Sequence, residues 1–109
     1  MIMVGVCVDI VRYVDDSQPG WVEARLRDVS GRDWVFVEKV PVLTETSLSA
    51  GSDYPQPGVI ACEVVGSWLD ESGREVHAID TARPWGVEAQ GVSRFEVWAE
   101  QLVPLRPAA

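Results

Sequence analysis

The segment Trp21-Val22-Glu23-Ala24-Arg25-Leu26-Arg27-Asp28-Val29-Ser30-Gly31-Arg32-Asp33-Trp34-Val35-Phe36-Val37 decides the fold. Val22, Ala24 and Leu26 alternate with Trp21, Glu23, Arg25 and Arg27. Successive strand side chains point to opposite faces, so Trp21–Arg27 reads as a strand with one buried and one wetted face. Asp28-Val29-Ser30-Gly31 follows with turn chemistry: Asp and Ser bond local backbone, and Gly31 is free to take a positive φ. The chain returns through Asp33–Val40, and Pro41 ends that strand. The unit is an antiparallel hairpin.

The same grammar recurs downstream. Pro57-Gly58 opens a strand over Gly58–Leu69, Asp70-Glu71-Ser72-Gly73 turns it, and Arg74–Thr81 returns, just as Pro19-Gly20 opens the first hairpin. Duplication of a hairpin and convergence on good turn residues both explain the likeness, and both predict tight turns at residues 28–32 and 70–74. Upstream, Ile2–Val14 is a long strand with Ile2, Val4, Val6, Val8 and Ile10 on one face and Met3, Cys7, Val11 and Tyr13 on the other. Apolarity on both sides implies cover on both faces. Asp15–Gly20 stops it. Val42–Thr46 reads as a further short strand, and residues 47–57 and 82–91 read as long loops. Ser93–Leu102 reads as a strand with Phe95, Val97 and Ala99 inward and Glu96, Trp98 and Glu100 outward. The competing helix would align Phe95, Trp98 and Leu102.

Six or seven strands built from hairpins make an all-β chain. The expected form is a small antiparallel barrel, SH3-like or similar, with bends at Gly5 and Gly66; a two-sheet β-sandwich is the alternative. The expected domain covers residues 1–103, with 104–109 as a tail.

Charge narrows the partners. The 109 residues carry 9 Lys+Arg against 17 Asp+Glu, a net charge of −8. Phosphate binding needs a basic surface, so nucleic acid is not an expected partner, and neither is an anionic membrane. No apolar run reaches the roughly 18 residues of a spanning helix. The N-terminal stretch lacks the charged start of a secretory signal, and Asp9 interrupts it. The expected setting is cytoplasmic and reducing, with Cys7 and Cys62 as unpaired packing residues rather than a disulfide.

Catalytic and metal chemistry find little footing. His77 is the only histidine, mid-strand between Val76 and Ala78, where packing explains it. Neither Asp15-Asp16 nor Asp70-Glu71 has the spacing of a calcium loop. No phosphate-cradling loop or nucleophile elbow is present, and no cofactor is expected.

Tryptophan is the unusual residue: Trp21, Trp34, Trp68, Trp85 and Trp98. Trp34 reads as packing. Trp21 and Trp98 fall on outward parity beside Glu23, Glu96 and Glu100, and Trp85 sits in a loop between Pro84 and Gly86. Exposed indoles anchor protein interfaces. The expected function is therefore binding, most of all of a protein partner, with a basic one favoured by the net charge, through Trp21, Glu23, Trp85, Glu96, Trp98 and Glu100. One concrete form is an immunity or antitoxin-like role. A homo-oligomer is left open. The alternative is a small-ligand-binding or catalytic barrel with its site near Tyr54 and Trp85.

Overall fold

Strand β1, Ile2–Asp15, is the one around which the sheet is organised. Its Ile2–Ile10 segment pairs antiparallel with β4, Gln56–Leu69. Its other edge takes β7, Leu102–Pro104, at Val4–Val6, and then β2, Trp21–Arg27, at Asp9–Asp15. β2 continues to β3, Asp33–Lys39, while β4 passes from β1 to β5, Glu75–Asp80, and β5 to β6, Arg94–Trp98. The computed structural model describes residues 2–105; Met1, the side chain of Ile2 and residues 106–109 of the tail expected at 104–109 lie outside the described residues. Among the described residues, all strands belong to one antiparallel sheet in the order β3-β2-β1-β4-β5-β6.

Because β1 and β4 change partners along their length, the sheet curls into a half-barrel. β1 breaks register at Val11 and at Val14, and β4 at Val65. Each bulge adds local twist and bends its strand. The expected break at Gly66 lies one residue away, but the register runs unbroken through Gly5, paired with Ala61. The outer strands approach each other through the β2–β3 turn. Val29 N–H donates to Glu96 O at 3.0 Å, and Phe95 meets Trp34 and Phe36 edge-to-face at 5.2 and 5.6 Å. The barrel expectation holds, and the sandwich alternative gives way because there is one sheet rather than two.

The concave side is packed. Val6, Ile10, Val22, Ala24, Phe36, Ile60, Cys62, Ile79 and Val97 are fully buried there. The inward parity expected for Val22, Ala24 and Leu26 is what is found. Val40 and Leu43 from the short helix α1, Val40–Leu43, join this core, as do Val87 and Ala89 from the loop after β5. Buried Thr81 secures that loop, its hydroxyl donating to Val87 O at 2.7 Å.

Several local expectations are corrected. The stretch expected as a strand from Val42 begins as the single turn of α1, because Pro41 lacks the N–H a strand ladder needs but suits a first helical turn. The element expected over Ser93–Leu102 is strand only at Arg94–Trp98; a 3-10 turn at Ala99–Gln101 redirects the chain into β7. Pro104, expected in the tail, pairs with Val4. Cys7 is exposed rather than packed, since its face of β1 is only partly covered; Met3 and Val11 are half-buried there. Both cysteines are free, as expected.

The two hairpin turns repeat atom for atom. Asp28 Oδ1 accepts from Ser30 N, Ser30 Oγ and Arg32 N at 2.9, 2.6 and 3.1 Å. Asp70 Oδ1 accepts from Ser72 N, Ser72 Oγ and Arg74 N at 2.9, 2.7 and 2.8 Å. Gly31 and Gly73 take φ of +85° and +83°, which a side chain would strain.

Candidate partner-binding face

The bulge at Val65 decides where Trp68 goes. Before it, Ile60, Cys62 and Val64 face the core. Strict alternation would send Trp68 inward with them. The extra residue reverses the parity, so that Gly66 pairs with Ala78 and Trp68 with Val76, on the face away from Ile79. Val76 pairs in turn with Trp98 on β6. Trp68, Val76 and Trp98 thus form one row across three strands on the convex side.

Val76 is only 2% exposed although it faces away from the core. Its register neighbours on both sides are indoles, Trp68 and Trp98. Trp68 itself stays 43% exposed, its ring edge 4.0 Å from where a Cβ on Gly66 would stand. The neighbouring row, Gly66, Ala78 and Glu96, carries almost no side-chain bulk until Glu96. The result is a low apolar shelf with an indole on one side and a carboxylate on the other.

Trp98 is held from two directions. The Arg74 guanidinium stacks on its ring, carbon to centroid 3.6 Å, and also pairs with Glu100. That pairing is the main reason the Glu100 carboxyl lies below its ordinary range. The Trp98 backbone N–H donates to Gln101 Oε1, and Gln101 Nε2 donates to Arg27 O, both at 2.8 Å. The 3-10 turn is thereby clamped to β2.

The residues expected to form one surface are distributed over three places. Trp98 ends the indole row, Glu96 stands in the row beside it, and Glu100 follows in the 3-10 turn, paired with Arg74. Trp21 starts β2, six residues from Arg27 and so roughly 20 Å from the turn beside Trp98. There Trp21 faces its register partner Lys39, whose Nζ lies 5.6 Å from the ring centroid. Glu23 pairs with Arg12 and Arg25 at 3.0 and 3.7 Å. Trp85, 68% exposed, lines a separate groove of about 650 Å³ with Pro41, Val42, Val59, Ala61 and Leu105. Tyr54 is not on that wall; its hydroxyl donates to Ser49 O at 2.7 Å and its ring packs on the core.

No family model, curated protein or solved structure matches this chain.

Trp68 is the site residue that sequence parity misses. The available signal was Gly66, which marks a bulge within an otherwise regular strand. Groups that could do covalent chemistry are not assembled around the face. Burial, with Asp80 nearby, pushes the Cys62 thiol up to about 12, which leaves it inert. His77 lies opposite Ser67 in register, but no hydrogen bond joins them. His77 Nε2 lies 2.5 Å from Glu75 Oε2, and Nδ1 is buried without a partner, so no nucleophile–base relay is formed. Among the described residues, no three His, Cys, Asp or Glu are grouped to hold a metal ion, and no helix is long and apolar enough to cross a membrane.

Proposed function

We propose that this protein is a binding module that docks a protein partner on the convex face of β4, β5 and β6, with Trp68 and Trp98 as anchors. The observation that carries the reading is the Trp68–Val76–Trp98 row. Two indoles bracketing a covered aliphatic residue, beside a shelf of Gly66 and Ala78, match the make-up of interface centres. A setting that keeps Cys7 and Cys62 as thiols, such as the cytoplasm, suits this role. An immunity or antitoxin-like protein that meets a basic toxin through steered association is one concrete form.

The test compares capture of partners from native cell extract by the wild-type chain and by Trp68→Ala. A partner held stoichiometrically by the wild type and lost with Trp68→Ala, at unchanged circular dichroism, is the expected result. Equal capture by both would defeat the reading. A second reading, a small-ligand site, draws on the Trp85 groove, whose volume of about 650 Å³ is in the range of small-molecule sites. Native mass spectrometry showing a retained small molecule, lost with Trp85→Ala, would favour it.

A further inference from the structure

We infer that the occupant of the Trp68–Trp98 face is a cationic protein segment, whose arginine head group seats on the Trp68 indole. This rests on the docking face proposed above and adds the chemistry of what docks there.

The basis is the disposition of the chain's own cations. Among the described residues, every Lys and Arg already has a partner. Arg12 and Arg25 pair with Glu23 at 3.0 and 3.7 Å, and Arg27 with Asp33 at 2.9 Å. Arg83 pairs with Glu63 at 3.8 Å and Arg94 with Asp80 at 3.5 Å. Arg32 lies 3.9 Å over Trp34, Lys39 lies 5.6 Å over Trp21, and Arg74 lies 3.6 Å over Trp98 while pairing with Glu100.

Two kinds of group are left over. Among the described residues, no cation lies over Trp68 or Trp85, and these are the exposed tryptophans, at 43% and 68%. With 17 acids against 9 cations, carboxylates are also in excess. Glu96, on the same convex face as Trp68, and Glu71, in the adjoining turn, pair with no cation among the described residues.

Arg74 shows what such a surface accepts. Its planar head lies on an indole and pairs with a carboxylate in the same pose. Trp68 and Glu96 offer the same two functions to successive cations of one segment: they stand two strands apart, roughly 10 Å by strand spacing, with the Gly66–Ala78 shelf between them, where an aliphatic stem can lie. A purely apolar partner would strip water from Glu96 with no compensating bond, and an acidic one would meet like charge. Trp85 stands apart from this face, in a groove of prolines, aliphatic side chains and two threonines with Glu45 its only charged member.

The experiment uses the full chain, labelled with 15N, so that the indole N–H signals of its five tryptophans report separately. A hexa-arginine peptide is titrated in at physiological salt, with the hexa-citrulline peptide as the uncharged isostere. The Trp68 signal is expected to move most and that of Trp34 least. Trp68→Ala should weaken binding about tenfold and Glu96→Gln about threefold. Asp16→Asn, in the remote β1–β2 connection, should change it by less than about twofold. A stationary Trp68 signal overturns the inference, and so does an Asp16→Asn effect as large as that of Glu96→Gln, which would mean diffuse attraction to an acidic protein. If hexa-citrulline binds as well as hexa-arginine while still moving Trp68, the cationic class fails and the docking face stands. If Trp68→Ala captures partners from extract as the wild type does, the docking face itself fails.

Discussion

Arg74 and Trp98 are stacked, the guanidinium carbon 3.6 Å from the indole centroid, although they are 24 positions apart, Arg74 just before β5 and Trp98 at the end of β6, and only the β5–β6 pairing brings them together. Arg32 makes the equivalent contact with Trp34 from the other hairpin, at 3.9 Å. Arg74→Ala removes the stack and the pairing with Glu100. The contact on the ring contributes about 0.5–1 kcal/mol. The expected outcome is a melting temperature lower by a few degrees and a red-shifted tryptophan emission as Trp98 gains water. An unchanged spectrum would show that the stack does not persist in solution.

Core and face should separate cleanly in stability. Phe95 is buried against Trp34 and Phe36, so Phe95→Ala should cost about 3–5 kcal/mol. Trp68 is already 43% exposed, and Trp68→Ala should cost less than about half of that. Urea denaturation of both variants checks the order. A Trp68→Ala loss equal to that of Phe95→Ala would place this ring in the core.

The twin turns give a pH signature. Partial burial alone would raise the Asp28 carboxyl, but bonds from Ser30, the Trp34 indole and the backbone outweigh it and hold the group below its ordinary range. The Ser72 hydroxyl and the Arg74 backbone N–H do the same for Asp70. A carboxyl depressed in the folded state contributes stability that is fully present above the unfolded pKa, near about 3.9, and is lost as pH falls through the lower folded value. Asp28→Ala should therefore cost about 1–2 kcal/mol at pH 7 and progressively less below about pH 4. Asp70→Ala should cost less, because Asp28 also accepts from Trp34 Nε1 at 2.9 Å. Denaturant midpoints at pH 7 and pH 3 test this, and a pH-independent penalty would contradict it.

The thiols should react at different rates. Cys7 is exposed and Cys62 is buried, with its thiol pushed up to about 12 by burial and Asp80. A disulfide-exchange reagent should titrate one thiol per native chain quickly and the second only on unfolding. Cys7→Ser should abolish the fast phase, and reductant should leave the melting temperature unchanged.

The sequence alone determined the hairpins, because alternation and turn chemistry are local. Val22, Ala24 and Leu26 must share a face, and Asp28-x-Ser30-Gly31 and Asp70-x-Ser72-Gly73 carry their turns in their own side chains. It also marked Glu96 and Trp98 as outward, since β6 is regular, whereas Glu100 reaches the surface from the 3-10 turn that strand alternation did not foresee. Tertiary structure alone decided which outward residues meet. The separation of Trp21 from Trp98 depends on which strands pair, a non-local choice that parity within one strand cannot express. Trp68 depends on a single inserted residue: with the register break at Val65 it joins Val76 and Trp98 on the convex face, and without that break the same alternation would bury it beside Val64. The side-chain period of a strand is two, so one extra residue reverses every position that follows, and only the paired strands reveal where it was inserted.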